Sequence, residues 1–301
     1  MKLAITGATG FVGARLLALA VREGHAVTAL TRRSQNERRS VTWVQGALDN
    51  RQALQRLLEG ADAVIHVAGV ISAPDAAGFE AGNVTGTLNV LAAATSAGLR
   101  RFVHVSSLAA REPELSLYGA SKARAEQLVQ SSGFDWAIVR PPAVYGPGDH
   151  ETLELFKAAR LGLVPLPPRG RLSLIHADDL SGLLLALTEP DAPSKVTYEP
   201  DDGRDGGWTH REFAAALAAA QDRRALALPV PAGVIRLGAG LDKLLRRGKA
   251  KLTADRAAYF CHPDWASDPA RRPPPELWRP AIATGQGLAD TAQWYFRQGW
   301  L

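Results

Sequence analysis

The stretch Thr6-Gly7-Ala8-Thr9-Gly10-Phe11-Val12-Gly13 directly follows a short apolar run at residues 2–6. Its three glycines have a spacing that allows a tight turn and lets backbone amides approach a pyrophosphate at the start of the next helix. Glycine spacing alone is not specific, because an ordinary strand–helix turn also uses glycine. Here a predicted strand precedes the turn and a predicted helix follows it, which indicates a dinucleotide-binding turn.

The first half of the chain alternates short apolar runs with helical patterns, which is typical of an α/β protein with a parallel sheet. The pattern predicts strands at 2–6, 26–31, 42–45, 63–67, 102–106 and 136–140. It predicts helices at 12–23, 49–58, 83–97 and 118–131. We therefore expect a Rossmann-type, doubly wound parallel sheet.

The pattern changes after Tyr145-Gly146-Pro147-Gly148, where Pro and Gly become frequent and the alternation becomes irregular. This predicts a dinucleotide-binding domain at 1–147, to which the chain returns at about 172–200. A smaller, mixed substrate lobe would comprise 148–171 and 201–301, with the substrate between the two parts. The lobe is expected to end in an amphipathic helix at 288–296.

Composition limits the class of protein. The chain has 301 residues, 46% of them hydrophobic, and a formal net charge of +5. No apolar stretch is long enough to span a bilayer, and no signal peptide is visible. The single cysteine, Cys261, excludes an internal disulfide and a cysteine-rich metal site, which predicts no metal and fits a reducing cytoplasm.

The basic residues occur as scattered pairs rather than as a long run, so we expect a small-molecule substrate and no nucleic acid. One basic amphipathic stretch, at 230–251, could lie on a membrane surface. The preferred interpretation is a core-facing helix of the substrate lobe with a solvated basic face. A homodimer is left open.

The end of the second predicted strand indicates which dinucleotide binds. An acidic residue there usually holds a ribose 2′-hydroxyl, whereas arginine holds a 2′-phosphate. The sequence has Thr31-Arg32-Arg33 and no carboxylate, which favours NADP(H) over NAD. The alternative is that Arg32 and Arg33 are simply solvated.

Tyr118 and Lys122 are four residues apart, so a helix places them on one face. An ammonium beside a phenol favours the phenolate, so Lys122 is expected to lower the pKa of Tyr118. Tyr118 could then exchange a proton with a carbonyl or alcohol oxygen during hydride transfer. Ser106-Ser107 end the fifth strand, where a hydroxyl can donate to the substrate oxygen. The alternatives are an exposed helical pair and a serine that caps the next segment.

The chain resembles an extended short-chain dehydrogenase/reductase, of the NAD-dependent epimerase/dehydratase superfamily, almost continuously from residue 1 to about 187. The motifs that carry the resemblance are the glycine turn, residues 62–69 (DAVIHVAG), 83–89 (NVTGTLN), 103–107 (VHVSS), Tyr118-x-x-x-Lys122, 140–148 (RPPAVYGPG) and 176–180 (HADDL).

The resemblance implies Ser107, Tyr118 and Lys122 as catalytic residues. It also implies that Val67, Ala68 and Gly69 line the adenosine and ribose side of the cofactor, and that Asn83 lies beside the site. Together with the glycine turn, the expected cofactor-binding residues are Gly7, Thr9, Gly10, Phe11, Val12, Gly13, Arg32, Arg33, Ala47, Leu48, Val67, Ala68, Gly69, Asn83, Val105, Tyr118, Lys122, Pro141 and Val144.

Two departures from the superfamily pattern are informative. Gly46-Ala47-Leu48 lacks the aspartate that often contacts adenine, and Leu108-Ala109-Ala110-Arg111-Glu112 replaces the Val-Tyr-Gly turn of nucleotide-sugar enzymes. The resemblance is therefore closer to the dihydroflavonol, cinnamoyl and 3β-hydroxysteroid reductase branch.

The expected activity is an NADP(H)-dependent interconversion of a carbonyl and a secondary alcohol on a small organic substrate. One alternative is a nucleotide-sugar epimerase or dehydratase that uses bound NAD. The other is a non-catalytic NAD(P)-binding accessory subunit.

Overall fold

The computed structural model describes residues 1–167, 169–235, 237–238 and 254–301. Its strands are β1 (Lys2–Thr6), β2 (Ala26–Thr31), β3 (Val41–Gln45), β4 (Ala63–His66), β5 (Arg101–Val105), β6 (Asp135–Val139), β7 (Ala143–Tyr145), β8 (Leu163–Leu166), β9 (Arg171–Leu172), β10 (Leu174–His176), β11 (Val196–Tyr198), β12 (Trp208–Thr209), β13 (Leu226–Pro229) and β14 (Asp264–Trp265).

The described α-helices are α1 (Phe11–Arg22), α2 (Arg51–Leu58), α3 (Ala76–Phe79), α4 (Gly86–Ser96), α5 (Leu117–Gln130), α6 (Leu153–Arg160), α7 (Ala177–Ala186), α8 (His210–Ala219), α9 (Ala254–Phe260) and α10 (Thr284–Arg297). A π-helix at Glu80–Thr85 leads into α4, and short 3₁₀ helices lie at Leu108–Arg111 and Pro269–Arg271. None of these described helices has the length and apolar character that crossing a membrane requires.

Seven strands form one parallel sheet in the order β11-β6-β5-β4-β1-β2-β3. The chain moves outward from β1 in both directions, so the strand order reverses between β1 and β4. Ligands of open α/β sheets bind at such a switch point, outside the carboxyl ends of the strands. The predicted Rossmann-type α/β fold is confirmed.

The central strands are apolar along their whole length because helices cover both sheet faces. Every residue of β4 and β5 is buried. The predicted strands at 2–6 and 26–31 match β1 and β2, and the other four differ from β3–β6 by one residue at one or both ends. The predicted helix at 83–97 differs more, since residues up to Thr85 form the π-helix and α4 begins at Gly86.

The chain divides into two units. The first comprises Met1–Pro141, Leu180–Tyr198 and Pro273–Trp278; the second comprises the described residues of Pro142–Asp179, Glu199–Arg272 and Arg279–Leu301. The first unit therefore resumes at Leu180, later than the predicted return at about 172, because β10 pairs with β7 and not with the large sheet. It also includes Pro273–Trp278, which the sequence pattern assigned to the substrate lobe.

The second unit contains three small sheets, namely β7 with β10, β8 with β13, and β9 between β12 and β14. Its core includes Tyr145, Phe156, Phe213, Leu288 and Tyr295. The predicted terminal helix at 288–296 lies within the longer α10. Most of the predicted amphipathic helix at 230–251 lies outside the described residues.

Candidate active site

The β1–α1 turn requires glycine at two positions. Gly7 has a φ of +74°, and a Cβ there would lie 2.7 Å from the Ala68 nitrogen. A Cβ at Gly13 would lie 2.0 Å from the Gly7 carbonyl oxygen, so α1 can pack on the turn only without a side chain. Gly10 is the residue before α1 and has no side chain to cap the helix. The first amides of α1 are therefore suited to an anion such as a pyrophosphate.

The remaining expected residues of this turn lie around the same helix start. Phe11 and Val12 begin α1 and are half-buried, whereas Thr9 is exposed. The neighbouring β4 end is tied to β1, because the Ala68 amide donates to Thr6 Oγ1 at 3.2 Å. Val67 and Ala68 are half-buried in the segment that follows β4. These residues share the switch-point edge of the sheet.

Arg32 and Arg33 directly follow β2, and both are exposed. The Thr31 hydroxyl donates to the Arg33 carbonyl at 2.7 Å and accepts from the Arg33 amide at 3.3 Å. This local turn holds the backbone that carries the two guanidinium groups at the carboxyl edge of the sheet. Such a placement fits binding of a phosphate.

Ala47 and Leu48 lie in the loop after β3. The Leu48 carbonyl accepts a hydrogen bond from Asn89 Nδ2 at 2.9 Å, which fixes the loop to α4. A Cβ on Gly86 would lie 2.7 Å from Leu48 Cδ1, so this leucine packs on the first turn of α4. Ala47 and Leu48 therefore offer backbone and apolar surface rather than a carboxylate.

Tyr118 and Lys122 both lie on α5, as their spacing predicts. The helix is capped by Ser116, whose hydroxyl accepts from the Gly119 amide at 2.9 Å. The Tyr118 and Ser107 side chains are hydrogen-bonded to each other. The Ser107 hydroxyl also accepts from the Ala109 amide at 3.2 Å, so the capping role and the contact with Tyr118 occur together.

The direction of the Tyr118 pKa corrects the sequence-based expectation. Burial raises the pKa of the Tyr118 phenol, and the hydrogen bond with Ser107 opposes this rise. The Lys122 ammonium is not among the groups that lower the pKa of Tyr118. Its ammonium donates to the Val105 carbonyl at 2.7 Å, which assigns Val105 a role in holding Lys122. Burial lowers the pKa of Lys122 to about 8, and the nearby Glu126 carboxylate opposes that decrease.

Glu126 is a functional candidate that the sequence reasoning missed. It lies one helical turn after Lys122 and is 3% exposed. Its carboxylate accepts two hydrogen bonds from Arg140, at 2.9 and 2.6 Å, and one from the Ser106 hydroxyl at 2.5 Å. Glu126 thereby ties α5 to the segments that follow β5 and β6. The sequence feature that could have identified Glu126 is its four-residue spacing from Lys122, which repeats the spacing between Tyr118 and Lys122.

Asn83 connects the π-helix to α5. Its Oδ1 accepts from the Val70 amide at 2.6 Å, and its Nδ2 donates to the Val70 carbonyl and to Ser121 Oγ at 2.9 and 2.8 Å. The Ser121 hydroxyl in turn donates to the Tyr118 carbonyl at 2.8 Å. The polar atoms of the Asn83 side chain therefore form hydrogen bonds with other residues of the protein.

Gly69 lies at the centre of this group. A Cβ there would lie 3.1 Å from Asn83 Oδ1 and 3.6 Å from Lys122 Nζ. Gly69, Asn83 and Lys122 therefore lie close together. Pro141 ends the first segment of the first unit, and its carbonyl accepts a hydrogen bond from the Leu108 amide at 3.1 Å. Val144 belongs to β7 of the second unit, where it pairs with Ile175.

The strand order and the glycine turn define a Rossmann-type fold with a turn suited to a dinucleotide. The family model described as "NAD dependent epimerase/dehydratase family" matches residues 3–199. The chain belongs to this family, and it is an NAD(P)-dependent enzyme of the extended short-chain dehydrogenase/reductase type.

Two relatives are reductases by name. "Ceramide reductase" of Caulobacter vibrioides is 38% identical over 99% of this chain and 95% of its own length. "4-hydroxy-2-methyl-3-oxo-4-farnesyl-3,4-dihydroquinoline-1-oxide ketoreductase" of Stigmatella aurantiaca is 32% identical over 86% of each chain. The solved structure "MoeE5 in complex with UDP-glucose and NAD" has a TM-score of 0.76 and 20% identity, over 99% of each chain, and supports the fold alone.

Proposed function

We propose that this chain is an NADP(H)-dependent ketoreductase that acts on a ketone carried by a lipophilic molecule. The observation that carries the proposal is the contact of Ser107 with Tyr118 on the helix that also carries Lys122. The names of the two relatives support reduction, and both name a lipophilic compound, ceramide or a farnesyl-bearing quinoline oxide. We assign the dinucleotide to the first unit and the substrate to the second.

The residues of the first unit fit the dinucleotide. A side chain at Gly7 or Gly13 would collide with neighbouring backbone atoms, and the start of α1 lacks a side-chain cap. These features suit a pyrophosphate. Arg32 and Arg33, exposed at the end of β2, would hold a 2′-phosphate and so favour NADP(H) over NAD. When bound, the cofactor supplies a hydride to the carbonyl carbon.

The protein's own groups supply the proton. The Tyr118 hydroxyl donates to the carbonyl oxygen as the alcohol forms, and its raised pKa keeps it protonated at neutral pH, as a donor requires. Before substrate binds, the Ser107 hydroxyl orients that of Tyr118. With substrate bound, the single Ser107 O–H would turn to the substrate and donate a second hydrogen bond to the developing oxyanion. The Lys122 ammonium, held by the Val105 carbonyl, places positive charge at the site while the proton leaves Tyr118.

The test is an assay of the purified protein with NADPH and, separately, a long-chain 3-oxoalkanoate ester or UDP-glucose. We expect NADPH oxidation with equimolar alcohol formation from the ester and no change in UDP-glucose. Epimerisation of UDP-glucose with retained NAD would instead support the nucleotide-sugar alternative. Tight NADPH binding with no turnover of either probe or of any ketone in a chain-length series would support the accessory-subunit alternative.

A further inference from the structure

The two-stranded parallel sheet formed by β8 and β13 has an apolar outward face. In β8, Leu163 and Pro165 are exposed while Val164 and Leu166 are buried. In β13, Leu226 and Leu228 are exposed on the adjacent strand. A strand with one buried face usually carries polar residues on the other, so the pattern here is unusual.

These exposed residues are contiguous. The register pairs Leu226 with Leu163 and Leu228 with Pro165. Leu226 is 69% exposed, Leu163 50% and Leu228 46%, and Leu161, just before β8, is 85% exposed. A contiguous exposed apolar patch marks an interaction surface, whereas single exposed leucines are ordinary. We call these five residues, Leu161, Leu163, Pro165, Leu226 and Leu228, the leucine face.

Arginines lie at one end of the leucine face. Arg160 ends α6 immediately before Leu161, and Arg223 and Arg224 precede β13; all three are exposed. The Leu226 amide donates to the Gly162 carbonyl at 3.0 Å, so the two strand starts and their arginines are adjacent. Asp222 is the one carboxylate in residues 222–224, so this segment carries an excess of positive charge.

The combination fits one kind of partner. Leucines that enter the acyl region and arginines that remain at the phosphate level are the features of a protein surface that lies on an anionic membrane. The Arg160 guanidinium also lies over the ring of Phe296 at 5.0 Å, so an aromatic side chain that is 44% exposed adjoins the arginines. A symmetric contact between two copies would instead bring two arginine groups together, which disfavours it.

We propose that the leucine face docks the second unit on the surface of a bilayer that contains anionic phospholipid. The sequence disfavours a membrane surface because its basic residues are scattered and because residues 230–251 are interpreted as a core-facing helix. The leucine face lies in residues 161–228. The proposal is independent of the reaction, so it is tested without a substrate.

The experiment measures co-sedimentation of the full chain with vesicles. We expect binding to mixed phosphatidylglycerol–phosphatidylcholine vesicles, weaker binding to phosphatidylcholine alone, and a decrease at high salt. Leu163→Ser with Leu226→Ser should reduce partitioning by about tenfold or more, because two leucine side chains leave the acyl region. The matched control is Leu88→Ser on α4 of the other unit, which is also 50% exposed and should bind as the parent does.

Each variant is first compared with the parent in thermal unfolding, and Arg223→Gln with Arg224→Gln provides a second variant that leaves the leucines intact. We expect this arginine variant to lose the preference for anionic vesicles. Equal partitioning of the parent, the leucine variant and the control would overturn the proposal. So would sedimentation velocity that shows a parent dimer and a monomeric leucine variant, since the face would then bind a second copy.

Discussion

Two glutamate–arginine pairs each have one member on α5, and these two members lie on different faces of the helix. On the buried face, Glu126 pairs with Arg140 and lies one turn beyond Lys122. On the outer face, Arg124 pairs with Glu80 through two hydrogen bonds of 2.5 and 2.9 Å. The Arg140 and Glu126 side chains are 15% and 3% exposed. The Arg124 and Glu80 side chains are 57% and 40% exposed.

Burial, and not the type of side chain, distinguishes the two pairs. Both pairs join the same kinds of group, yet exposed pairs contribute about 0–1 kcal/mol, and loss of one partner from a buried pair costs about 3–5 kcal/mol. The buried pair also contacts Ser106, the neighbour of Ser107. The buried face of α5 therefore links the stability of the sheet edge to the positions of the proposed catalytic groups.

The largest expected effect is that of Glu126→Ala. It removes both hydrogen bonds that Arg140 donates to a carboxylate, so the free energy of unfolding should fall by about 3–5 kcal/mol. Denaturant unfolding measures this, with Glu80→Ala as the matched control at less than about 1 kcal/mol. Equal losses for the two variants would show that burial does not distinguish the pairs.

Tyr118→Phe tests the other end of the buried face. It keeps the ring that contacts Phe79 but removes the hydroxyl, so kcat should fall about a hundredfold or more while NADPH affinity stays close to that of the parent. Steady-state kinetics and NADPH fluorescence titration measure the two quantities. Activity within a few-fold of the parent would remove Tyr118 from its proposed role.

Arg32→Ala with Arg33→Ala tests two arginines that, unlike Arg140, are exposed. Loss of one charge-assisted hydrogen bond to a phosphate costs about 1.5 kcal/mol or more, so NADPH should bind about tenfold more weakly. NADH affinity should change little, and the NADPH effect should shrink at high salt. Unchanged affinity for both cofactors would mean that the arginines are only solvated.

The smallest expected effect is a displacement of a pH profile. The pKa of Lys122 is about 8, so activity that needs its ammonium should decrease as the pH rises through that value. The Glu126 carboxylate holds this pKa up, so Glu126→Gln should move the decrease to lower pH. Glu80→Gln, on the outer face, should leave the profile unchanged. A Glu126→Gln profile that matches the parent would limit Glu126 to a structural role.

Local patterns were sufficient for much of the fold and for part of the site. The strands at Lys2–Thr6 and Ala26–Thr31 are short apolar runs with clear ends, and the four-residue spacing placed Tyr118 and Lys122 together on α5. Local periodicity did not predict the π-helix at Glu80–Thr85. Its residue Asn83 is hydrogen-bonded to Val70, thirteen residues away, and local periodicity does not show such a contact. The pKa of Tyr118 and the Glu126–Arg140 pair also depend on burial between distant segments, which periodicity does not show.

In the proposed reaction, hydride passes to a ketone whose oxygen is protonated by Tyr118. The most direct measurement incubates the protein with NADPH deuterated at the transferring position of its nicotinamide and with a long-chain 3-oxoalkanoate ester. We expect an alcohol with one deuterium on the carbinol carbon, formed at the rate of NADPH oxidation and nearly absent with Tyr118→Phe. An alcohol without deuterium, or the same yield from Tyr118→Phe, would contradict it.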